Sequence, residues 1–561
     1  MKTQNQKRYL ILLALVLVLA VQTVMMGCFG QKKAGYHVDE VYTYELSNYP
    51  GTFFSETEGF LDTWVDGSFF QESMSVDGLG DLDYSIPYHN QENDVHPPVY
   101  YFVIHTVSAL FHGDVSKWIG ILPNMFFCLL TTVLLYLVAA RLFPNRVLAL
   151  LAAAMWAWSV GAMTTAVFIR MYALLTCIAM ALVLVHLKAL EDVRRDKLRK
   201  RTAALLFVVT LLGILTQYYF LVFCFFLCGI FFLYLCATRR WKLLAAYTVL
   251  EGGALCAAVA IFPKMLFHIL GGSRGKEAFE NAATSGGLWD SLKSVFSIMS
   301  KQLFNGWIKE CLIVVAAVLI GYVLWKHVLH VRCSMAGNGK GMDVHINAHP
   351  ETKWKIHISI DMILVLAVCL MCGGYSVMIA KVAPYQVDRY YMCIYPLISL
   401  GLVYLLYRTA DLCLKSVKRS ALVLGVICIL VTAVSYREQN VNYLYEYYQA
   451  RYDALEPYEG YPVVYLTING NHNNRADGFA MEFIQAPYVF CCEKRDYTGI
   501  KQAAATRDIT QGFLLYVQDY GNMNDEQIRE QIEKQVNLDQ FELLTRIGCN
   551  VYFCTLEEAA S

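Results

Sequence analysis

Two adjacent carboxylates, Asp39 and Glu40, follow the first long apolar run of the sequence in the stretch HVDE. Further along, single arginines stand between apolar runs and beside tyrosines, Arg170 in RMYALL and Arg389 in DRYYMC. A carboxylate can take a proton from a weakly nucleophilic hydroxyl, and fixed guanidinium groups can hold a phosphate. Charges beside membrane spans are costly and tend to mark functional sites. The alternative for each arginine alone is a side chain that extends to the lipid headgroups.

The apolar runs around these residues indicate a polytopic membrane protein. Of the 561 residues, 57% are hydrophobic and 16% charged, whereas soluble domains have about 25% charged residues. Runs long enough to span a bilayer recur until about residue 435. We predict eleven α-helical spans, at about 9–28, 117–140, 147–168, 171–190, 203–216, 218–238, 243–263, 308–326, 360–380, 391–407 and 420–435. We interpret the first as an uncleaved helix, with a cleaved signal peptide lipidated at Cys28 as the alternative.

The distribution of Lys and Arg predicts the orientation of these spans. An inside N-terminus places about 24 Lys and Arg in inside segments and about 12 outside, as the positive-inside rule requires. This alternation puts Asp39, Arg170, Arg389 and the C-terminal segment on the outer, extracytoplasmic side. The apolar stretch 99–111 is too short for a span, so we interpret it as an interfacial helix. Net charge is zero and no basic stripe occurs, which excludes nucleic acid as a partner.

Three regions outside the spans have different predicted characters. Residues 29–116 form a large outer loop with juxtamembrane helices and about 14 Asp and Glu, most of them explained by solvation. Residues 264–307, rich in glycine, are predicted to form a mobile lid or a plain linker. Residues 436–561 alternate strand-like stretches with a helical one, which predicts a small extracytoplasmic α/β domain after a transmembrane domain of residues 1–435.

The order of several motifs resembles the GT-C superfamily of membrane glycosyltransferases. These motifs are HVDE after the first span, HPPVYYFVIH, RLFPNRVLALLAAAMWAWS, RMYAL, LTQYYFLV and DRYYMCIYPLISLG. Within the superfamily the chain is most similar to bacterial family-39-like enzymes, protein O-mannosyltransferases and lipid A aminoarabinose transferases, over about residues 9–435. The resemblance implies a multi-pass enzyme of the cell membrane. It would transfer a hexose such as mannose from a polyprenyl-phosphate carrier to a protein, lipid or glycan on the outer side, with inversion.

The resemblance also implies roles for particular residues. Asp39 and Glu40 match the catalytic acidic pair; we expect Asp39 to be the general base and Glu40 to orient the acceptor or share that role. Arg170 and Arg389 match the cations that hold the donor phosphate. Further phosphate-binding candidates are Tyr172, Tyr390, Lys381 and Lys264, and the substrate-binding candidates are His96, Gln217 and Tyr218. Gln217 replaces a histidine that many relatives have, so the role of that histidine does not transfer. No cofactor is required, and a divalent metal near His37, Asp39, Glu40 and His96 is an open alternative.

Two other classes of function compete with an enzyme. A transporter or lipid flippase would also need many spans, and Glu251 in YTVLEGGALC lies near the middle of one. Paired broken helices and internal repeats, which are typical of transporters, are not evident in the sequence. An assembly or binding protein would use residues 436–561, which contain no catalytic motif that we recognise.

Overall fold

The computed structural model describes residues 2–284, 287–304, 306–324, 330–333, 344–347, 360–438, 441–469 and 476–557. Most of the predicted inside loop 326–357 therefore lies outside the described residues. The α-helices are α1 Lys2–Lys32, α2 Val38–Asn48, α3 Gly67–Met74, α4 Ser85–Asn93, α5 Val99–Ser108, α6 Lys117–Leu142, α7 Arg146–Ala157, α8 Val160–Val167, α9 Tyr172–Val193, α10 Lys200–Ile214, α11 Phe220–Ala237, α12 Trp241–Ile261, α13 Lys264–Leu270, α14 Ser273–Ala283, α15 Leu288–Leu303, α16 Ile308–Val323, α17 Ile360–Val382, α18 Tyr395–Leu414, α19 Val417–Glu438, α20 Tyr448–Leu455, α21 Ala480–Phe483, α22 Gly499–Thr506 and α23 Asp525–Glu533. The strands are β1 Trp64–Asp66, β2 His330–Cys333, β3 Val344–Asn347, β4 Val463–Ile468, β5 Tyr488–Cys491, β6 Phe513–Asp519, β7 Leu538–Thr545 and β8 Asn550–Leu556.

Over the described residues, each of the eleven predicted spans contains α-helix. Among the described residues, eight helices are long and apolar enough to cross a membrane, and ten spans result if each of two bent helix pairs counts as one. The predicted polytopic α-helical fold is confirmed. Helix α10 has 15 residues and a length of about 22 Å, which is less than the roughly 30 Å of a bilayer core.

The chain divides into two compact units, and the first contains most of the long helices. It comprises residues 1–25, 126–165 and 172–441. One of its predicted spans is broken, because α7 and α8 meet at an angle of 53°. Ser159 lies at the break, where its Oγ accepts a hydrogen bond from the Ala162 N–H at 3.1 Å. A serine that caps an N-terminus in this way starts a new helix.

The predicted glycine-rich lid or linker at 264–307 is largely helical in the described residues. Helices α13, α14 and α15 occupy most of it. Glycines bound these helices instead of breaking them: Gly272 is the N-cap of α14 and Gly287 that of α15. At Gly287 the φ of 72° lies in the left-handed region that glycine adopts without strain. The described part of the predicted lid or linker is therefore helical, and its role as a lid stays a prediction.

The second unit combines residues 26–125, 166–171 and 442–561. Its centre is a six-stranded sheet of order β1-β5-β4-β6-β8-β7, in which β4 is parallel to β5 and β6. The predicted strands and helix of the C-terminal segment are confirmed as β4, β6, β8 and α23. The edge strand β1 comes instead from residues 64–66 and pairs antiparallel with β5. The segment 29–116 and the C-terminal segment thus share one sheet.

The same unit contains two buried carboxyl groups, Glu45 and Asp477, on either side of the chain segment at Phe54 and Ser55. The Phe54 N–H donates to Glu45 at 2.5 Å, and the Ser55 hydroxyl donates to Asp477 at 2.9 Å. In the described part of the chain, one oxygen of each carboxyl has no hydrogen-bond partner. Burial raises the pKa of both groups, that of Asp477 to about 7. The folded protein therefore favours the protonated form of Asp477.

Thermal stability is expected to fall as pH rises from about 4 to 7. An unfolded aspartate titrates near pH 3.9. The folded state thus keeps a proton that the unfolded state has lost, and its advantage disappears as pH passes the folded pKa. Asp477→Asn, which cannot ionise, should flatten this part of the Tm profile by an amount equivalent to a few kcal/mol. The exposed Glu459→Gln is the control. An unchanged pH profile in Asp477→Asn would contradict the assignment.

Candidate active site

Helix α2 begins at the acidic pair, and its first turn gives the two carboxylates different environments. His37 is the N-cap, and its Nδ1 accepts the Asp39 N–H at 3.1 Å. The Glu40 carboxylate bonds back to the His37 N–H at 2.7 Å, which completes a capping box. The sequence HVDE therefore starts the helix by its own side chains. This cap also fixes the direction in which each carboxylate points.

Glu40 is fully buried and has three N–H donors. Besides the His37 amide, it forms an ion pair with the buried Lys33 at 2.9 Å and accepts the Ile169 N–H at 2.8 Å. Burial raises the pKa of Glu40, while Lys33 and the two amides act in the opposite direction. Lys33 in turn donates to the Tyr443 carbonyl at 2.6 Å. With both oxygens occupied, Glu40 holds α2 to the segment after α8.

Arg170 joins the same helix to α5. The chain is not helical between α8 and α9, and Arg170 lies there with only 4% of its surface exposed. Its Nη1 donates to the Asp39 carbonyl, the Thr43 hydroxyl and the Tyr101 hydroxyl, each at 3.1 Å. The guanidinium thus holds the first turn of α2 through the Asp39 carbonyl and the Thr43 hydroxyl.

The HPP element meets Arg170 from another side. His96 Nε2 lies 3.4 Å from Arg170 Nη2, and His96 Nδ1 lies 2.8 Å from the Asp94 carboxylate. Burial alone would raise the pKa of Asp94, but His96 and Arg170 outweigh it and lower that pKa below its usual value. Asp94 therefore stays ionised and orients the His96 ring. This contact was not predicted from the sequence, although DVHPP contains both residues.

Asp39 is the more accessible of the two adjacent carboxylates. Its side chain is 27% exposed, against 0% for that of Glu40. His37 Nδ1 lies 3.6 Å from an Asp39 side-chain oxygen. The structure thus brings together Asp39, Glu40, His96 and Arg170, four of the predicted site residues. We call Asp39, His37, His96, Asp94, Tyr101 and Arg170 the Asp39 cluster.

Arg389 belongs to the other compact unit and has its own aromatic surroundings. It is nearly buried, donates to the Tyr385 hydroxyl at 3.3 Å, and lies 5.9 and 5.7 Å from the ring centres of Tyr385 and Tyr390. Tyr219 packs edge-on against Tyr390 at 5.1 Å, and Tyr172 also lies near Tyr390. These contacts gather one guanidinium and several phenol groups, which are suitable ligands for a phosphate.

Arg274 is a second cation near the tyrosines that surround Arg389, and it was not predicted from the sequence. It lies on α14, within electrostatic range of Tyr385 and Tyr390, and pairs with Glu277 at 2.9 Å. Because glycines surround Arg274 in the sequence, a lid or linker was predicted there instead of a helix. Its amphipathic sequence, SRGKEAFENAA, was the signal that could have identified it.

The remaining predicted residues have other partners. Gln217 accepts the Tyr219 N–H in the turn between α10 and α11, and Lys381 donates to the Thr284 carbonyl. Lys264 lies 5.9 Å from the ring centre of Phe267. Tyr218 is within 2.8 Å of His268 Nδ1, so a histidine that was not predicted stands beside a predicted tyrosine.

A divalent metal at the acidic pair is not supported by the donor geometry. Among the described residues, His37, Asp39, Glu40 and His96 do not belong to a group of three or more ligand atoms within reach of one ion. Lys33 and two amides already surround the Glu40 carboxylate.

Comparison with known proteins agrees with this fold. The family model described as dolichyl-phosphate-mannose-protein mannosyltransferase matches residues 95–267, about a third of the chain. A crystal structure of ArnT from Cupriavidus metallidurans in the apo state is similar with a TM-score of 0.51 and 10% identity, covering 96% of this chain and 97% of that one. No curated protein matches the sequence.

Two further structures have lower similarity. ArnT from Cupriavidus metallidurans bound to undecaprenyl phosphate gives a TM-score of 0.49 at 11% identity, over 97% of this chain and 98% of that one. AglB, the archaeal oligosaccharyltransferase from Archaeoglobus fulgidus in complex with an inhibitory peptide and a dolichol-phosphate, gives 0.40 at 10% identity, over 97% and 74%.

The predicted resemblance to the GT-C superfamily of membrane glycosyltransferases is confirmed. The chain has the ArnT-like fold over nearly its whole length, and the family model covers His96, Arg170 and Gln217 but neither Asp39 nor Arg389. The roles of individual residues stay predictions.

Proposed function

We propose that this protein transfers a sugar from a polyprenyl-phosphate carrier to an acceptor hydroxyl, with Asp39 as the general base. The observation that carries the proposal is the Asp39 cluster, in which an accessible carboxylate stands on a helix turn held by the buried Arg170. The matching family model supports the donor class, because its description names a dolichyl-phosphate-linked mannose. The particular sugar and acceptor are left open.

The proposed reaction is a single displacement. The acceptor oxygen attacks the anomeric carbon and loses its proton to Asp39, while the bond from that carbon to the carrier phosphate breaks and the phosphate leaves with the electron pair. Attack opposite to the leaving group inverts the anomeric centre. A positioned base typically contributes about 10²–10⁴-fold to such a step. The burial of Glu40 favours a positioning role for it over contact with the acceptor.

The leaving phosphate needs fixed positive charge, since it gains negative charge in the transition state. The sequence predicts this role for Arg170 and Arg389. The contacts favour Arg389, because it is flanked by phenol groups and accompanied by Arg274, whereas Arg170 Nη1 is engaged by three protein oxygens. We therefore assign phosphate binding to Arg389 with Tyr390 and Tyr172, and the positioning of Asp39 to Arg170.

The proposed reaction takes place on the extracytoplasmic side of the cell membrane. Support comes from the positive-inside distribution, with about 24 Lys and Arg in inside segments against about 12 outside.

Mass spectrometry of lipid-linked sugars and cell-envelope glycans, with and without the protein, tests the proposed function. Cells that lack it should lose one glycan modification and accumulate the matching polyprenyl-phosphate sugar, and reintroduction of the parent chain should reverse both changes. Identical lipid and glycan profiles in the two strains would refute the proposal.

Replacement of Arg389 by alanine is expected to weaken donor binding by about 10- to 100-fold, the usual contribution of hydrogen bonds to a charged group. The donor affinity of Arg389→Lys should lie between those of the parent chain and Arg389→Ala, because lysine keeps the charge but not the planar donor pair. Binding of the carrier lipid to the purified protein measures this. Arg194→Ala, at an exposed arginine of the same unit, is the matched control. Unchanged affinity in a correctly folded Arg389→Ala protein would remove Arg389 from the donor site.

A further inference from the structure

Glu251, which the sequence singles out and the proposed reaction does not use, lies in a cluster of metal-binding side chains. His186 of α9, Cys228 of α11 and Glu251 of α12 each offer one ligand atom, and these atoms lie within 4.8 Å of one another. Cys228 and Glu251 are near the midpoints of their helices. Among the described residues, no other group of three such side chains lies within reach of one ion.

The Glu251 carboxylate lacks the partners that a buried acid needs. Both of its oxygens are inaccessible, and among the described residues neither forms a hydrogen bond of ordinary length and angle. The Thr210 hydroxyl is the polar uncharged group that lies near the carboxylate. A carboxylate without partners inside a helix bundle is costly. A bound cation would offset that cost.

The histidine is oriented as a metal ligand usually is. His186 Nδ1 lies 2.9 Å from the Leu182 carbonyl, so Nδ1 carries the proton and donates it. Nε2 is then the ring atom with a lone pair. The Tyr247 hydroxyl donates to it at 2.8 Å, and this hydrogen bond would give way to the ion. In metal-binding histidines, the N–H of the second ring nitrogen almost always donates a hydrogen bond to a carbonyl or carboxylate in this way.

We propose that His186, Cys228 and Glu251 bind one Zn²⁺ ion within the helix bundle. Imidazole nitrogen, thiolate and carboxylate oxygen are the ligands that Zn²⁺ takes in proteins. A thiolate and a carboxylate together neutralise the ion, which suits a site inside the membrane.

The site needs only a small contraction around the ion. Zinc lies about 2.0–2.3 Å from its ligand atoms, which puts those atoms about 3.3–3.8 Å apart. The separations here, up to 4.8 Å, close to this range by rotation of side chains on three neighbouring helices. A zinc ion would then tie α9, α11 and α12 together. This structural role also explains Glu251 without transport.

Metal analysis of the intact purified protein tests the proposal and does not depend on sugar transfer. The parent chain is expected to contain about one zinc per molecule, and Cys228→Ser and Glu251→Gln should each lower the zinc content about tenfold or more. Cys236→Ser, on the same helix, is the matched control and should retain zinc. The proposal would be overturned if the parent chain contained no zinc and took up none when Zn²⁺ was added in chelator-free buffer. Full zinc content in Cys228→Ser would also overturn it.

Cobalt substitution keeps the proposal testable if a variant fails to fold. Co²⁺ exchanged into the parent chain should give a thiolate-to-cobalt charge-transfer band with tetrahedral ligand-field bands. A chain that binds cobalt without a thiolate band would exclude Cys228 as a ligand and overturn the assignment. Loss of sugar transfer in a zinc-containing protein would bear on the proposed function alone.

Discussion

Asp39→Asn is expected to lower the rate of sugar transfer by about 10²–10⁴-fold while the protein inserts and folds normally. Asparagine has nearly the same shape as aspartate but cannot accept the proton of the acceptor hydroxyl. The backbone N–H and carbonyl of Asp39 bond to His37, Thr43 and Arg170. These contacts remain in the variant. Donor binding should therefore persist, and kcat should carry most of the loss.

Asp81→Asn removes an exposed carboxylate from the same segment and is the matched control. It should transfer sugar at the parent rate. Transfer by Asp39→Asn at more than about a tenth of the parent rate would show that Asp39 is not the base. A pH profile of kcat/KM separates the roles further, because loss of a general base removes the acidic limb of the profile.

Lys33→Met and Glu40→Ala are each expected to destabilise the protein by about 3–5 kcal/mol. Each change leaves one fully buried charge without its partner at 2.9 Å. Glu40→Ala also removes the acceptor for the Ile169 and His37 amides. Since these contacts hold the turn that carries Asp39, sugar transfer should fall together with Tm.

The double variant Lys33→Met/Glu40→Ala, measured beside the two single variants, distinguishes a coupled pair from two independent losses. It should be less destabilised than the sum of the single variants, because no uncompensated buried charge remains. Arg529→Ala breaks the exposed pair with Glu533 and should change the free energy of unfolding by less than about 1 kcal/mol. Simple additivity of the Lys33 and Glu40 changes would contradict the buried ion pair.

The sequence indicates the acidic pair as a candidate site, but it does not show the different environments of the two acids. HVDE contains the acids and the helix cap, which are local features. The difference between Asp39 and Glu40 depends on Ile169, Arg170 and Tyr443, which lie far along the chain. No local pattern indicates which of two adjacent acids receives the buried lysine.

The set of phosphate-binding residues predicted from the sequence lacked Arg274 for a related reason. Arg389 and its tyrosines are neighbours in the sequence, so their spacing was informative. Arg274 joins them only because α14 brings it near Tyr385 and Tyr390. The glycine-rich composition of its segment predicted a lid or a linker, and composition alone could not reveal helices bounded by glycines.

The amino-acid sequence by itself determined the membrane class, the positions of the helical spans and the strands of the C-terminal segment. Apolar runs about 20 residues long and alternating strand patterns are local properties, so they can be recognised without tertiary contacts. Only the tertiary structure decided that residues 64–66 complete the C-terminal sheet, that Glu40 is buried with Lys33, and that His186, Cys228 and Glu251 meet. Each of these depends on pairing between distant segments, where burial and charge compensation, rather than local pattern, select the partners.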